Sequence, residues 1–531
     1  MKIVERKNIR TLSWEEKDDL VKAFAGIQKL DPTDPNSFFM IAGYHGEPFR
    51  GAGWGNPQWW GGYCNHGNVL FPTWHRAYLH RLEKALQTIV PGVALAYWDE
   101  TELASREGGI PDIFLMDEWK CKNGEVIKPN PLHSYKFQAN ITDRLSPIPD
   151  ANYSKAAGYQ TVRYPFSGLV GTKKDRAKTK AHNEELRRQG SVHTNKVLNL
   201  NVMEWLNEVN YINHEGKKIE ANVAHKYGAC LNAPNYTVFS NTTSATQWND
   251  ERVGTKDYVR VVPLESPHNS IHLAVGGFEV RKIKQDKNKY ANANGDMGEN
   301  DTAAFDPIFF FHHCFVDLVF YEWQKKWNAL DSLEIIPGYP GTNSVDNQGP
   351  TPGVAGGTWL SLDSALDPFK KPGSQTEPMT SRDVVNPLSL GYKYIYNRHT
   401  ENRLNDGQAD LYVPSEQEAV PVIEVSNVNR ATIGGSFMIN VYDQNTGTLV
   451  GTEAILSRWH VSGCANCQNH LDVRTHIPLH GWSKKEADEG SFEVLLQSRD
   501  PEDANRLNMG HVADPFKKQN PEFRVITSHM D

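Results

Sequence analysis

The sequence predicts a mainly α first part, a helix bundle with long loops, followed by an all-β, sandwich-like C-terminal part. Three observations predict it. Apolar residues recur at helical spacing in segments such as FPTWHRAYLHRLEKAL and FDPIFFFHHCFVDLVFYEWQ. Stretches rich in Pro, Gly and Asn, residues 333–376 among them, separate these segments. After residue 396 the pattern changes to short alternating runs bounded by turn signals. At 531 residues the chain exceeds one ordinary core, and it divides into residues 1–396, a linker at 397–419 and a β-domain at 420–531.

Each element has a local reason. The opening MKIVERKNIRTLSWEEKDDL lacks an apolar signal core, so a cytoplasmic protein is expected; it reads as a short strand and then a helix capped at Ser13, with Glu16 three residues later completing a capping box. In the helix carrying His75, Tyr78, Leu79, Leu82 and Leu86 form the buried stripe, while Arg76, Arg81 and Lys84 are expected towards water. The basic run at 173–189, KKDRAKTKAHNEELRRQ, reads as a solvated helix face. ESPHN opens another helix, with Ser266 as cap, Pro267 in the first turn and Glu265 favouring the positive helix end. A further helix carries His312, His313 and, one turn on, Asp317. The polar stretch HTENRLNDGQADLYVPSEQEA is the linker, and VPVIEVSNV, GSFMINVYD, TLVGTEAILSRWHV, HLDVRTHIPL, SFEVLLQS and EFRVITSH are antiparallel strands.

Composition narrows the partners. A net charge of −8 gives no reason to expect nucleic acid or an anionic membrane surface. No apolar stretch of about eighteen residues occurs, so nothing in the sequence predicts a bilayer-spanning helix. The six cysteines are scattered and suggest no disulfide framework. The sequence leaves room for a homo-oligomer.

The histidines carry the chemistry. His45 in GYHGEP, His66 in GYCNHGN and His75 form one set; His268 and His272 in PHNSIH, with His312 and His313, form a second some two hundred residues later. His268 and His272 are four apart and project from one helical face, one turn apart. Two metal ions, each held by three neutral imidazoles, would leave open positions facing one another, and imidazole suits copper, zinc, nickel or iron, with copper highest in the affinity order. Two coppers so placed can bind one O2. Asp317 is expected to accept a hydrogen bond from a ligating ring and fix its tautomer.

The pieces GYCNHGNVLFPTWHRAYLHRLEKAL, PHNSIHLAVGG and FDPIFFFHHCFVD, with AYWDE at Ala96–Glu100 and the aromatic pair Tyr392 and Tyr394, resemble the type-3 dicopper family of tyrosinases, catechol oxidases and molluscan haemocyanin units. The resemblance runs from about Ser37 to about Tyr396. It implies that His45, His66 and His75 bind one copper and His268, His272 and His313 the other, leaving His312 as a neighbour. It further implies a thioether between Cys64 and His66, and a water held by Glu265 and Asn269 that deprotonates an incoming phenol, whose pKa is near 10. The implied activity is ortho-hydroxylation of monophenols and oxidation of o-diphenols to o-quinones, with small phenols as substrates. A catechol oxidase or o-aminophenol oxidase, or an O2 carrier, is the rival within the same resemblance.

The C-terminal part carries two further expectations. The resemblance implies a β-domain that covers the copper site with one bulky side chain, making a latent enzyme; Trp459 is the first candidate plug, with Leu456 and Phe437 behind it. Cys464 and Cys467 in GCANCQNH form a CxxC that can bind a soft metal such as copper(I), form a reversible disulfide or do neither, and the resemblance to latent tyrosinases makes it a candidate copper relay. Structural zinc there would need His470 and His476 as well.

Overall fold

The structure is a computed structural model. It describes residues 3–46, 62–142, 154–168, 173–207, 210–212, 218–220, 222–256, 258–286, 290, 293–343, 358–396, 420–458, 461, 471–498 and 521–527. Trp459, Cys464, Cys467, His470 and the 397–419 segment lie outside these residues.

The strand Val4–Arg6 pairs in parallel with Tyr392–Tyr394, with Val4 opposite Tyr392, so the start of the chain is pinned to the end of the helical part. The helix Trp14–Lys29 begins where expected, with Ser13 and Glu16 closing the capping box. It packs on the helix Phe71–Ile89, which also lies against the helix Ile308–Lys326. The helix Glu265–Gly276 rests on Ile308–Lys326 and touches the strand Leu449–Ile455 of the C-terminal part. These helices share one apolar core with aromatic rings such as Phe24, Phe38, Tyr78, Phe309, Phe310 and Phe311. Within the 333–376 stretch the strand Ala365–Lys370 pairs with Pro378–Thr380.

All six alternating runs of the C-terminal part form strands, in two antiparallel three-stranded sheets. One has Phe437–Asp443 between Leu449–Ile455 and Phe492–Gln497; the other has Val422–Asn429 between Asp472–Pro478 and Glu522–Ile526. Alternation sorts their side chains. Phe437, Ile439 and Val441 point into the sandwich core, whereas Met438 and Tyr442 on the opposite face, with Leu456 beyond the next strand, join the core of the helical part. The strand Phe437–Asp443 is therefore buried on both faces. Phe437 belongs to the sandwich interior and cannot serve as the plug. Among the described residues no helix is long and apolar enough to cross a membrane.

Two local expectations change in the folded chain. Arg76 is fully buried rather than turned to water, because its guanidinium donates to Asp317 and to the carbonyls of Val384 and Val385. Ser266 does not cap its helix, which already begins at Glu265; its hydroxyl instead donates to Glu453 Oε1 on the strand Leu449–Ile455, at 2.6 Å.

Candidate metal centre

His45 is the last residue of the helix Phe38–His45, whose start is capped by Ser37. His66 lies in the loop before the helix Phe71–Ile89, and His75 sits in that helix beyond Pro72. The three rings meet with centroids 5.2–5.6 Å apart. On the other side, His268 and His272 come from one helix and His313 from Ile308–Lys326. Their Nε2 atoms converge, 3.0 Å apart for His268 and His272, 3.2 Å for His268 and His313 and 3.4 Å for His272 and His313. The two halves are in contact, since the rings of His75 and His313 stack with centroids 4.5 Å apart. Phe309 and Phe71 wall the site, Phe309 stacked on His313 at 4.0 Å.

Burial drives every one of these imidazoles below its ordinary pKa, to about 3 for His75, so the rings are neutral at ordinary pH. Neutral imidazole is the form that binds a metal. Several tautomers are fixed as well. His75 Nδ1 donates to the Phe71 carbonyl and His272 Nδ1 to the Met297 carbonyl, both at 2.8 Å, and His268 Nδ1 to Asn269 Oδ1 at 3.0 Å. That leaves each Nε2 lone pair directed at the site. Nε2 of His45, His66 and His75 has no hydrogen-bond partner although buried, which costs about 1–3 kcal/mol per atom unless a metal takes the lone pair. The donor set therefore fits a pair of nitrogen-bound copper ions.

The comparisons agree. The family model for the common central domain of tyrosinase matches residues 35–326. The chain belongs to the tyrosinase family. It is 48% identical over 500 residues to a tyrosinase of Aspergillus oryzae, covering 91% of this chain and 90% of that one. It is 44% identical over 506 residues to the tyrosinase HcTyr2 of a Hahella species, covering 91% and 88%. The solved tyrosinase of Burkholderia thailandensis at low pH superposes with a TM-score of 0.78 at 41% identity, covering 98% of this chain and all of that one. The chain is thus a copper-dependent oxidase of the tyrosinase family.

Asp317 does something other than the sequence suggested. Its carboxylate takes Arg76 Nε at 2.6 Å, Tyr392 and Tyr394 hydroxyls at 2.6 and 2.5 Å and Arg6 Nη1 at 3.4 Å, and no ring of the six is among its hydrogen-bond partners. It anchors the tyrosinase scaffold rather than a ligand's tautomer. The tautomer-fixing acceptors are mostly backbone carbonyls, which no side-chain pattern reveals. Glu100, the last residue of AYWDE, pairs with the neighbour His312 at 2.5 Å and accepts from Tyr227 at 2.6 Å. Burial pushes the Glu100 carboxyl up and the His312 ring down to about 3, driving both towards uncharged forms.

Glu265 is buried. Oε1 accepts the Gly67 N–H, and Oε2 accepts both the N–H and the hydroxyl of Thr242. Three of its roughly four acceptor positions are filled. Cys64 Sγ lies within 4.8 Å of ring nitrogens of both His45 and His66. It accepts from Arg458 Nη2 at 3.1 Å. Sequence reasoning missed Arg458. It is a buried residue of the C-terminal part that also pairs with Asp301 at 2.6 Å, one residue from Asn300, whose side chain touches His66. Nothing local marks it, because both partners lie more than 150 residues away.

Proposed function

We propose that this chain is a latent tyrosinase that hydroxylates monophenols at the ortho position and oxidises o-diphenols to o-quinones. The single observation that carries this reading is the convergence of six neutral imidazoles, three of which, His75, His268 and His272, have the opposite nitrogen committed to an acceptor outside the site. In this reading His45, His66 and His75 hold one copper, and His268, His272 and His313 the other. The copper pair, when bound, supplies the binding and reduction of O2, so that a monophenol and one O2 give an o-quinone and water.

The protein's own residues do the rest. The stacked His75 and His313 rings, walled by Phe71 and Phe309, hold the two halves at a fixed separation and keep the pocket dry. Asn269 orients the His268 ring. Glu265 has room for one more donor, a water that takes the phenol proton, while its bonds to Gly67 and Thr242 keep the carboxylate in place. Burial raises the Glu265 carboxyl towards the range of a useful base, with the Thr242 and Gly67 donors opposing that rise.

Latency follows from the contacts of the β-part. Arg458 reaches Cys64 and Asp301, and the Asn300 N–H donates to the Ser457 carbonyl at 3.3 Å, so residues 457–458 sit against the loop beside His66. Trp459, the next residue, remains the candidate plug, and Cys464 with Cys467 the candidate copper relay. The test is oxygen uptake by copper-loaded protein with a monophenol and with its catechol, before and after limited proteolysis in residues 397–419. Uptake with both that rises on cleavage supports the reading; uptake with catechol alone assigns a catechol oxidase, and none with either removes the enzymatic reading.

A further inference from the structure

A second metal-ligating cluster lies away from the imidazoles, at the seam between the two parts. Asp250 stands near the end of the helix Thr242–Arg252, which packs on the strand Asp472–Pro478. His476 on that strand and Glu424 on the strand Val422–Asn429 are directly paired across the sheet, so their side chains share one face. His476 Nε2 is 3.1 Å from Asp250 Oδ1 and 3.8 Å from Glu424 Oε2, and one donor atom from each residue falls within 4.8 Å of the other two.

Hydrogen bonding does not account for this approach. His476 is 2% exposed, yet neither of its ring nitrogens makes a hydrogen bond, and Asp250 Oδ1 makes none either. Two buried donor atoms therefore face each other at 3.1 Å without an aligned proton between them. The same spacing occurs among the Nε2 atoms of His268, His272 and His313, which stand 3.0–3.4 Å apart in the copper half-site. A tetrahedral ion with bonds of about 2.0–2.2 Å sets its ligands roughly 3.3 Å apart. One imidazole with two carboxylates suits zinc, leaving one position for water.

We infer that His476, Asp250 and Glu424 form a zinc site that clamps the β-part onto the helical part. Two arginines flank it. Arg474 Nη1 lies 3.4 Å from Asp250 Oδ2, and Arg524 donates to Glu424 Oε2 at 2.7 and 3.1 Å. Both are more than half exposed, so they hold the carboxylates from the outer side and can yield to an ion at little cost. The ion ties down the helix Thr242–Arg252, whose Thr242 also holds Glu265, and so joins the seam to the site without being part of it. This inference stands whether or not the chain proves latent.

The test uses the full, copper-loaded chain incubated with zinc chloride and desalted, with copper and zinc counted together by plasma mass spectrometry. The expected result is one zinc per chain with the copper content unchanged. His476→Asn and Asp250→Asn should each lose the zinc and keep the copper; should either fail to fold, Glu424→Gln serves in its place. A Cys464→Ser/Cys467→Ser chain should keep the zinc. Zinc that displaces copper, that depends on the two cysteines, or that persists in the His476 and Asp250 variants overturns the assignment. So does wild-type protein that takes up none, which would leave a plain ion pair at the seam.

Discussion

Replacing Asp317 by Asn should destabilise the helical part while leaving the copper centre intact. The carboxylate sits among Arg76, Arg6, Tyr392 and Tyr394, all fully buried or nearly so. Arg6 also forks onto Glu83 at 3.0 and 3.2 Å and lies 3.5 Å over the Tyr392 ring. Two guanidinium groups are thus balanced by two carboxylates, and the variant leaves one positive charge uncompensated in the interior. Breaking a buried pair in this way costs about 3–5 kcal/mol. Unfolding entropy of about 2.1 cal/mol/K per residue, over roughly 400 residues, gives about 0.8 kcal/mol/K, so the midpoint should fall by about 4–6 °C. Burial alone would raise the Asp317 carboxyl, but Arg76 and Arg6 outweigh it and the folded-state pKa is lowered. Its stabilisation is therefore complete above the unfolded value of about 3.9 and is lost as pH falls through the lower folded value. The difference between wild type and variant should accordingly begin to shrink only below about pH 4 and disappear once the pH is below the lowered folded value. Calorimetry and copper titration on both proteins decide the matter. An unchanged midpoint with copper affinity reduced about 10–100-fold would show Asp317 acting on a ligand ring instead, and would refute the reasoning.

His45→Ala and His313→Ala should each abolish copper-dependent oxygen uptake and lower bound copper, as measured by elemental analysis; full activity in either removes it from the ligand set. Glu265→Gln should cut monophenol hydroxylation by about 10²-fold or more while catechol oxidation changes only a few-fold, and equal losses in the two steady-state rates would point to a purely structural role. In copper-loaded protein the peptide joining Cys64 to His66 should weigh two hydrogens less than its sequence; an unmodified mass rules out the thioether. Arg458→Ala removes the partner of Asp301 and a donor to Cys64, so uncut protein should gain catechol-dependent oxygen uptake. A variant that folds and stays as silent as wild type shows that this contact does not keep the β-part seated.

What the sequence alone determined is whatever depends on local period and local chemistry. The capping box at Ser13 and Glu16, the single-face placement of His268 and His272 and the six alternating runs of the sandwich follow from residues a few positions apart, and each is found as read. Tertiary structure decided what depends on distant partners. Amphipathic reading places Arg76 and Arg81 alike in water, but Asp317, 241 residues away, draws Arg76 into the core. Ser266 has the chemistry of a cap and is claimed by Glu453 from a strand of the β-part. Arg458 meets Cys64, and His476 meets Asp250, only because the β-part docks on the helices. A charge in a low-dielectric interior is tolerable only beside its counter-charge, and which counter-charge arrives is set by how the chain packs rather than by any neighbouring residue.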